Sequence, residues 1–285
     1  MRAAPGRIIA PRRCPDNAGV ATKPVWRPCR CGDKPKEPPL VPDHGSAEAL
    51  ARERAAITPG TRITVLSGAG ISASSGIPTF RGGEDALWSR YRPEELATPQ
   101  AFARDPELVW RWYDWRRGLI AAAAPNAAHL ALAVLQDRAR VTLVTQNVDG
   151  LHQRAGSRDV IEFHGSIWTL RCTGCAREDL DERVPLPEPP RCGACGALLR
   201  PGVVWFGEGI DPAVMGRAAA AAGGCDLMVV VGTAGAVYPA AGLVTSARRS
   251  GARVLEFNLE PGGVTHLADL FFAGDAAATL PGLVP

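Results

Sequence analysis

Arg62 to Ala73 reads RITVLSGAGISA, and the fold turns on how this stretch is read. RITVLS is β-branched and apolar, the composition of a strand. It runs straight into glycine, so Gly68-Ala69-Gly70-Ile71-Ser72-Ala73 fits G-x-G-x-x-G/A immediately after a strand. In that pattern the first glycine permits the tight turn, the second lets backbone N–H groups approach a pyrophosphate, and a small third residue allows close packing. Taken alone, the pattern also fits a strand-to-helix turn that merely needs small residues. No acidic residue closes an evident second strand about twenty residues on, where a common dehydrogenase carries one. A dinucleotide bound here is therefore expected to sit differently.

Outward from this loop, the same alternation repeats. Ser46 to Ile57 reads as a helix that Ser46 can cap and Thr58-Pro59-Gly60 ends. Pro106 to Leu119 and Asn126 to Gln136 read as two more helices. Val141 to Gln146, Asp226 to Gly232, Arg253 to Asn258 and Asp269 to Ala273 read as strands. These strands are continuous apolar runs rather than alternating ones, and helical patterns separate several of them. That combination predicts an α/β fold: a Rossmann-like parallel sheet with helices on both faces.

Hydrophobic residues make up 46% and charged residues 21% of the 285, and the formal net charge is +3. So small an excess gives no electrostatic case for nucleic acid or a membrane surface. No apolar run is long enough to span a bilayer. Residues 1–45 are basic, acid-poor and rich in proline, which predicts a disordered tail or an over-long start to the reading frame. A transit peptide would be more Ser-rich and amphipathic, and a continuous apolar signal core is missing. A cytoplasmic location is expected.

Four of the eight cysteines fall in two tight pairs, Cys172-x2-Cys175 and Cys192-x2-Cys195, with sixteen residues between them. This is zinc-ribbon spacing. Four thiolates close a tetrahedral shell and leave no position for a reacting water, so one structural Zn²⁺ is expected in a small module at residues 166–200. Cys14, Cys29 and Cys31 lie in the tail, and Cys225 reads as a small buried hydrophobe. A zinc-ribbon module for nucleic acid would carry basic and aromatic residues. Here Glu178, Asp179, Asp181, Glu182 and Glu188 make the segment acidic.

Further motifs follow in a fixed order: GAGISASSGIPTFRG at residues 68–82, TQNVDGLHQRAG at 145–156, His164-Gly165, the two cysteine pairs, RPGVVWFGE at 200–208, GTAGAVYP at 232–239, and Asn258-Leu259-Glu260. This series resembles the sirtuin family over about residues 46–284. The resemblance implies a Rossmann-type NAD domain (46–165 and 201–285, with a helical insertion near 82–125) and the inserted zinc module. It also implies a reaction in which NAD and an acyl-lysine become nicotinamide, free lysine and O-acyl-ADP-ribose. Gly68, Ala69, Gly70 and Ser72 would then line the diphosphate and ribose. Phe80 would shield the ribose, and Arg81 would order the cofactor loop. Gln146, Asn147 and Asp149 would surround the nicotinamide ribose and carboxamide. Gly232 and Thr233 would touch phosphate or ribose and Asn258 the adenosine ribose, with Ala276 also in the cofactor set. His164 would be the catalytic base, acting with Asn147; a neutral imidazole suits the role because its ordinary pKa lies near operating pH. Val204, Trp205, Phe206, Gly207 and Glu208 would supply the edge to which an acyl-lysine protein or peptide adds as a strand. His44, His129, His152 and His266 read as core or surface histidines.

One departure from the family pattern is Ala234, where serine is usual; the lost hydroxyl predicts weaker cofactor affinity by about 0.5–1.5 kcal/mol. Tyr113 and Arg116, three apart on a predicted helix, share a face. The pair resembles the Y-x-x-R of the sirtuin branch that removes succinyl and malonyl groups, in which a guanidinium and a phenol grip a terminal carboxylate. The alternative is a tryptophan-rich core helix with Tyr and Arg at its rim, and a dual deacetylase activity is also compatible with the pair. Mono-ADP-ribosyltransfer to protein and non-catalytic NAD sensing are competing readings; intact His164 and Asn147 argue against the sensor.

Overall fold

The computed structural model describes residues 43–80, 87, 92–186 and 189–284. Arg81, residues 1–42 of the tail and most of the predicted insertion's first ten residues lie outside the described residues.

The apolar runs become parallel strands. In chain order the main sheet contains β1 (Asp43–His44), β2 (Arg62–Ser67), β3 (Arg140–Thr145) and β4 (Val160–Glu162). A second sheet of β5 (Gly165–Cys172), β6 (Glu178–Leu180) and β7 (Leu199–Val203) follows. The main sheet then resumes with β8 (Leu227–Val231), β9 (Arg253–Asn258) and β10 (Leu270–Ala273). Its order is β1-β10-β9-β8-β2-β3-β4, parallel throughout. The second sheet is antiparallel, in the order β6-β5-β7.

Five longer helices pack around these sheets: α1 (Ala47–Ala56), α2 (Pro106–Ala122), α3 (Ala127–Leu135), α4 (Pro212–Gly224) and α5 (Ala240–Arg249). Ser46 caps α1 as expected, its Oγ accepting from the Ala49 N–H at 3.1 Å. Every residue of β8 is buried, which is why that strand reads as an unbroken apolar run: both faces are covered. On one face Val65, Leu143, Val229 and Leu255 pack with Leu132 and Leu135 of α3. On the other, Leu66, Val144, Met228 and Val254 pack with Ala218 of α4 and Val244 of α5. A third core joins α2, through Val109, Trp110 and Tyr113, to Ile167, Leu170 and Leu199 of the second sheet.

Residues 43–45, assigned above to the tail, continue this structure: β1 pairs with β10, and the Gly45 N–H donates to the Phe271 carbonyl. Neither β1 nor β4 shows in the sequence, because two or three residues are too few to display a periodicity. Helix α4 also leaves no stripe to read, since it buries only Ala218 and Ala222. Among the described residues no single helix is long and apolar enough to cross a membrane.

From β2 the chain builds outward in both directions, through β3 and β4 on one side and β8, β9 and β10 on the other. The crevice beyond the carboxyl ends of β2 and β8 is the switch point where ligands bind in open α/β sheets. Gly68, Gly70 and Gly232 meet there. The Gly70 N–H donates to the Gly232 carbonyl at 2.7 Å. A Cβ on Gly70 would lie 2.8 Å from Gly232, and one on Gly232 (φ +59°) only 2.2 Å from the Ile71 nitrogen. The two loops therefore close on each other only as glycine.

Candidate functional site

Of the predicted cofactor residues, Ser72, Gln146, Asn147, Asp149, Thr233 and Asn258 are linked around this crevice; Phe80 lies against Arg116, and Arg81 is outside the described residues. The buried Ser72 hydroxyl donates to Asp149 Oδ2 at 2.8 Å and accepts from Asn147 Nδ2 at 3.2 Å. Asn147 Nδ2 also donates to the Gly68 carbonyl at 3.1 Å, tying the end of β3 to the glycine loop. Asp149 Oδ1 accepts from the Leu151 N–H at 2.9 Å, so both its oxygens are fixed. Across the crevice Gln146 Nε2 donates to Thr233 Oγ1 at 2.9 Å, and Asn258 Nδ2 donates to the Thr233 carbonyl at 2.9 Å. Ala69 stands half-buried at the mouth. Ala276 starts a short helical turn capped by Asp275 and is buried with the core. Ala234 presents its carbonyl to the Gly263 N–H at 2.9 Å.

His164 stands between β4 and β5. Its Nδ1 lies 3.1 Å from the Gln146 carbonyl. A carbonyl only accepts, so Nδ1 carries the proton and Nε2 keeps a bare lone pair. Burial pulls the His164 pKa below its ordinary value, and the imidazole is neutral at neutral pH. The His164 carbonyl accepts from the Val204 N–H at 2.9 Å, which fixes this histidine to the start of the predicted peptide edge.

That edge is braced from within. Glu208 pairs with Arg200 through two bonds, at 2.6 and 2.8 Å, and Oε2 also accepts from the Trp205 N–H at 2.8 Å. The Phe206 N–H donates to the Ala97 carbonyl at 3.0 Å. Trp205 is buried and Phe206 is 44% exposed. Trp205 and Glu208 thus shape the edge, while Phe206 and Gly207 present it to solvent.

Tyr113 and Arg116 do share one face of α2, and both are buried. Tyr113 Oη accepts from Trp205 Nε1 at 2.9 Å, which leaves its own O–H to donate. The Arg116 guanidinium lies over the rings of Phe80, Trp112 and Tyr113, at 4.9, 5.0 and 5.9 Å. It lines a small cavity with Ile77, Pro78, Leu87, Leu119 and Ile120. Among the described residues no carboxylate pairs with it. Neighbouring Arg117 is different: it donates to the carbonyls of Ile167, Asp181 and Arg183 and lies 4.8 Å from the Trp168 ring.

The four predicted metal ligands come together at one end of the second sheet. The sulfurs of Cys172, Cys175, Cys192 and Cys195 all lie within 4.8 Å of one another. Cys172–Cys195, Cys175–Cys195 and Cys175–Cys192 are separated by 3.4, 3.7 and 3.8 Å. Zinc–sulfur bonds of about 2.3 Å in a tetrahedron require S···S near about 3.8 Å, so the cluster fits one Zn²⁺ with its shell closed. The Gly174 N–H donates to Cys172 Sγ at 3.3 Å, as suits a thiolate.

Two residues that drew no functional reading lie directly behind the crevice. His129 and His152 are buried with ring centroids 4.9 Å apart. His152 Nε2 is 2.9 Å from the Ser67 hydroxyl and His129 Nε2 is 3.5 Å from the Ser72 hydroxyl. Burial holds His152 at a pKa of about 3 and His129 at about 4. They are core histidines, as expected, but the core they fill supports the crevice. A lone histidine in a helical pattern carries no sign of that.

Residues 68–239 match the sequence model of the Sir2 family. The NAD-dependent protein deacylase of Aquifex aeolicus is 53% identical over 220 residues, covering 76% of this chain and 92% of its own length. A Sir2 homolog in complex with NAD superposes with a TM-score of 0.77 at 46% identity, over 85% of this chain and 93% of that one. A Sir2–p53 peptide–NAD⁺ complex does so with a TM-score of 0.72 at 32% identity, over 81% and 94%.

Proposed function

The chain belongs to the Sir2 family and is an NAD-dependent protein deacylase, and from that premise we propose that it prefers lysines carrying acidic acyl groups, succinyl and malonyl. NAD, as co-substrate, supplies the ribose carbon that receives the acyl oxygen as nicotinamide departs. The chain's own residues then have separable tasks. Ser72, Asn147 and Asp149, locked by mutual hydrogen bonds, hold the nicotinamide end. Thr233 and Asn258 hold the adenosine end. His164 Nε2 takes a proton from a ribose hydroxyl, and the Gln146 carbonyl steadies the imidazolium that results. A peptide adds along Val204–Glu208, with the acyl-lysine directed toward Arg116. The zinc module of residues 166–200 is structural. No direct contact with nucleic acid is part of this reading.

One observation carries the acyl preference. Arg116 is a buried guanidinium in an apolar cavity, without a carboxylate partner among the described residues. Burial disfavours this cation, Asp149 offsets that only by longer-range attraction among the described residues, and an incoming carboxylate relieves the cost. Its two oxygens can take a guanidinium fork and the Tyr113 O–H together. Each charge-assisted bond contributes roughly 1.5–3 kcal/mol, enough for at least a tenfold preference over acetyl.

Turnover of two peptides that differ only in acetyl against succinyl on one lysine tests this, followed by mass spectrometry. Succinyl should be favoured, and Arg116→Met should depress desuccinylation far more than deacetylation. An acetyl preference, or equal losses in the variant, would return Tyr113 and Arg116 to a packing role.

A further inference from the structure

The main sheet contains a buried acid with no role in the chemistry so far. Glu256 lies in the middle of β9 and has no exposed surface. Its Oε2 has no hydrogen-bond partner. Its Oε1 accepts from Asn258 Nδ2 at 3.3 Å, and the Thr265 hydroxyl lies near enough to favour the charged form of the same carboxyl. Burial pushes this carboxyl above the ordinary carboxylate range. An acid in this position adds nothing to packing that Val or Leu would not supply.

What it does touch is informative. Residues 256 and 258 project from the same face of β9, because side chains alternate along a strand. Asn258 reaches from there to the Thr233 carbonyl at 2.9 Å. Thr265 Oγ1 accepts the Gly262 N–H at 2.7 Å. Gly262 in turn lies so close to the other loop that a Cβ on it would meet the Ala234 carbonyl at 2.7 Å. The loop after β8 is therefore linked to this carboxyl through Asn258, and the loop after β9 carries Thr265 beside the same carboxyl.

We propose that Glu256 is a positioning residue for the cofactor's adenosine end, acting by fixing Asn258 and Thr265 from below the two loops. This rests on the reading that Asn258 contacts the adenosine ribose. Only the bonded oxygen matters to the role. An amide in place of the unpartnered Oε2 loses no bond, so Glu256→Gln should be silent. Glu256→Ala removes the acceptor beneath Asn258 and the neighbour of Thr265, and leaves Asn258 held only by the Thr233 carbonyl and the Leu259 N–H.

Steady-state kinetics of the full chain would vary NAD against a saturating acyl-lysine peptide, with calorimetric titration of ADP-ribose as a readout that needs no turnover. Glu256→Ala should raise the KM for NAD by several-fold to roughly tenfold, the size expected for one lost hydrogen bond. ADP-ribose affinity should weaken to match, with kcat and the peptide KM unchanged, and Glu256→Gln should restore the wild-type values. Thr265→Val should raise the same KM by a smaller factor, which preserves the test if Glu256→Ala folds poorly. A merely structural acid would lower the folded fraction without moving the KM. An unaltered NAD KM in folded Glu256→Ala, or a Gln variant as impaired as the Ala variant, overturns the proposal. Asn258→Ala separates the layers: if it weakens ADP-ribose binding while Glu256→Ala does not, only the positioning role fails. If Asn258→Ala itself binds ADP-ribose normally, the reading of Asn258 falls and takes this role with it.

Discussion

In its proposed role as base, His164 depends on one bond and on its burial. The Gln146 carbonyl fixes the proton on Nδ1, and burial lowers the pKa. Both keep Nε2 unprotonated at neutral pH. Exchange of His164 for Tyr should abolish acyl-peptide-dependent nicotinamide release, since a general base contributes about 10²- to 10⁴-fold; undiminished turnover would remove His164 from the mechanism. The sign of the pKa shift adds a second expectation. Because burial disfavours the imidazolium, the acid limb of kcat/KM should fall below the ordinary imidazole value of 6.5. A limb centred above that value would show a base stabilised in its charged form, contrary to this environment. At this scale much was legible: Ser72, Asn147, Asp149 and His164 were picked out by motif and meet at one crevice. Arg200 was not picked out as a brace for Glu208, because eight positions of sequence separation give no hint that a loop folds back on itself.

The part most dependent on something other than apolar packing is the cysteine-bearing tip of the second sheet. Of its ribbon tip, Gly174, Gly193 and Gly196 are exposed, and little hydrophobic area remains to hold β6 and the cysteine loops in place. Metal coordination has to supply that free energy, as in other small zinc modules. Stripping zinc with a chelator, or Cys192→Ala, should therefore lower the thermal midpoint and remove turnover. Atomic absorption should count one zinc per wild-type chain and less in the variant. Full stability and activity without zinc would make the cluster a cysteine-rich turn and no more. The module is joined to α2 by Arg117, whose guanidinium satisfies three carbonyls, those of Ile167, Asp181 and Arg183. Arg117→Met keeps the stem and loses those bonds, so it should cost roughly 3 kcal/mol or more, at 1.5–3 kcal/mol for each bond to a charged group. Denaturant unfolding of the two proteins measures it, and a difference under about 1 kcal/mol would mean water replaces the guanidinium. The cysteine spacing announced the module and the three-residue spacing picked out Arg116 as the arginine on Tyr113's face, but nothing in the sequence marked Arg117 as the brace to the second sheet. That assignment depends on helical phase relative to a sheet that comes later in the chain.

Across the whole molecule, the parallel sheet was readable because strands buried on both faces are continuous apolar runs, as β2, β8 and β9 are. Strand order was not, because a parallel pairing leaves no local mark on either partner. The buried histidine pair belongs to this scale, because it couples folding to acid. His152 has a folded pKa of about 3 and His129 of about 4, each lowered from 6.5 chiefly by burial. For a lowered histidine the unfolded chain binds the extra proton first. The stabilisation is thus complete above about pH 6.5 and is lost as pH falls toward the folded values. Glu256 and Glu162 are raised by burial and act in the opposite sense, so the net acid slope of the wild type alone does not isolate the histidines. A comparison does. His152→Gln keeps an amide near the Ser67 hydroxyl but has no proton to gain. Urea unfolding at pH 7, 6 and 5 should show wild type losing stability relative to this variant by up to about 1.4 kcal/mol per pH unit, the limit for one proton. A wild-type-to-variant difference that stays constant across that range would mean His152 is not held neutral by burial, and the acid sensitivity of the fold would have to come from elsewhere in the chain.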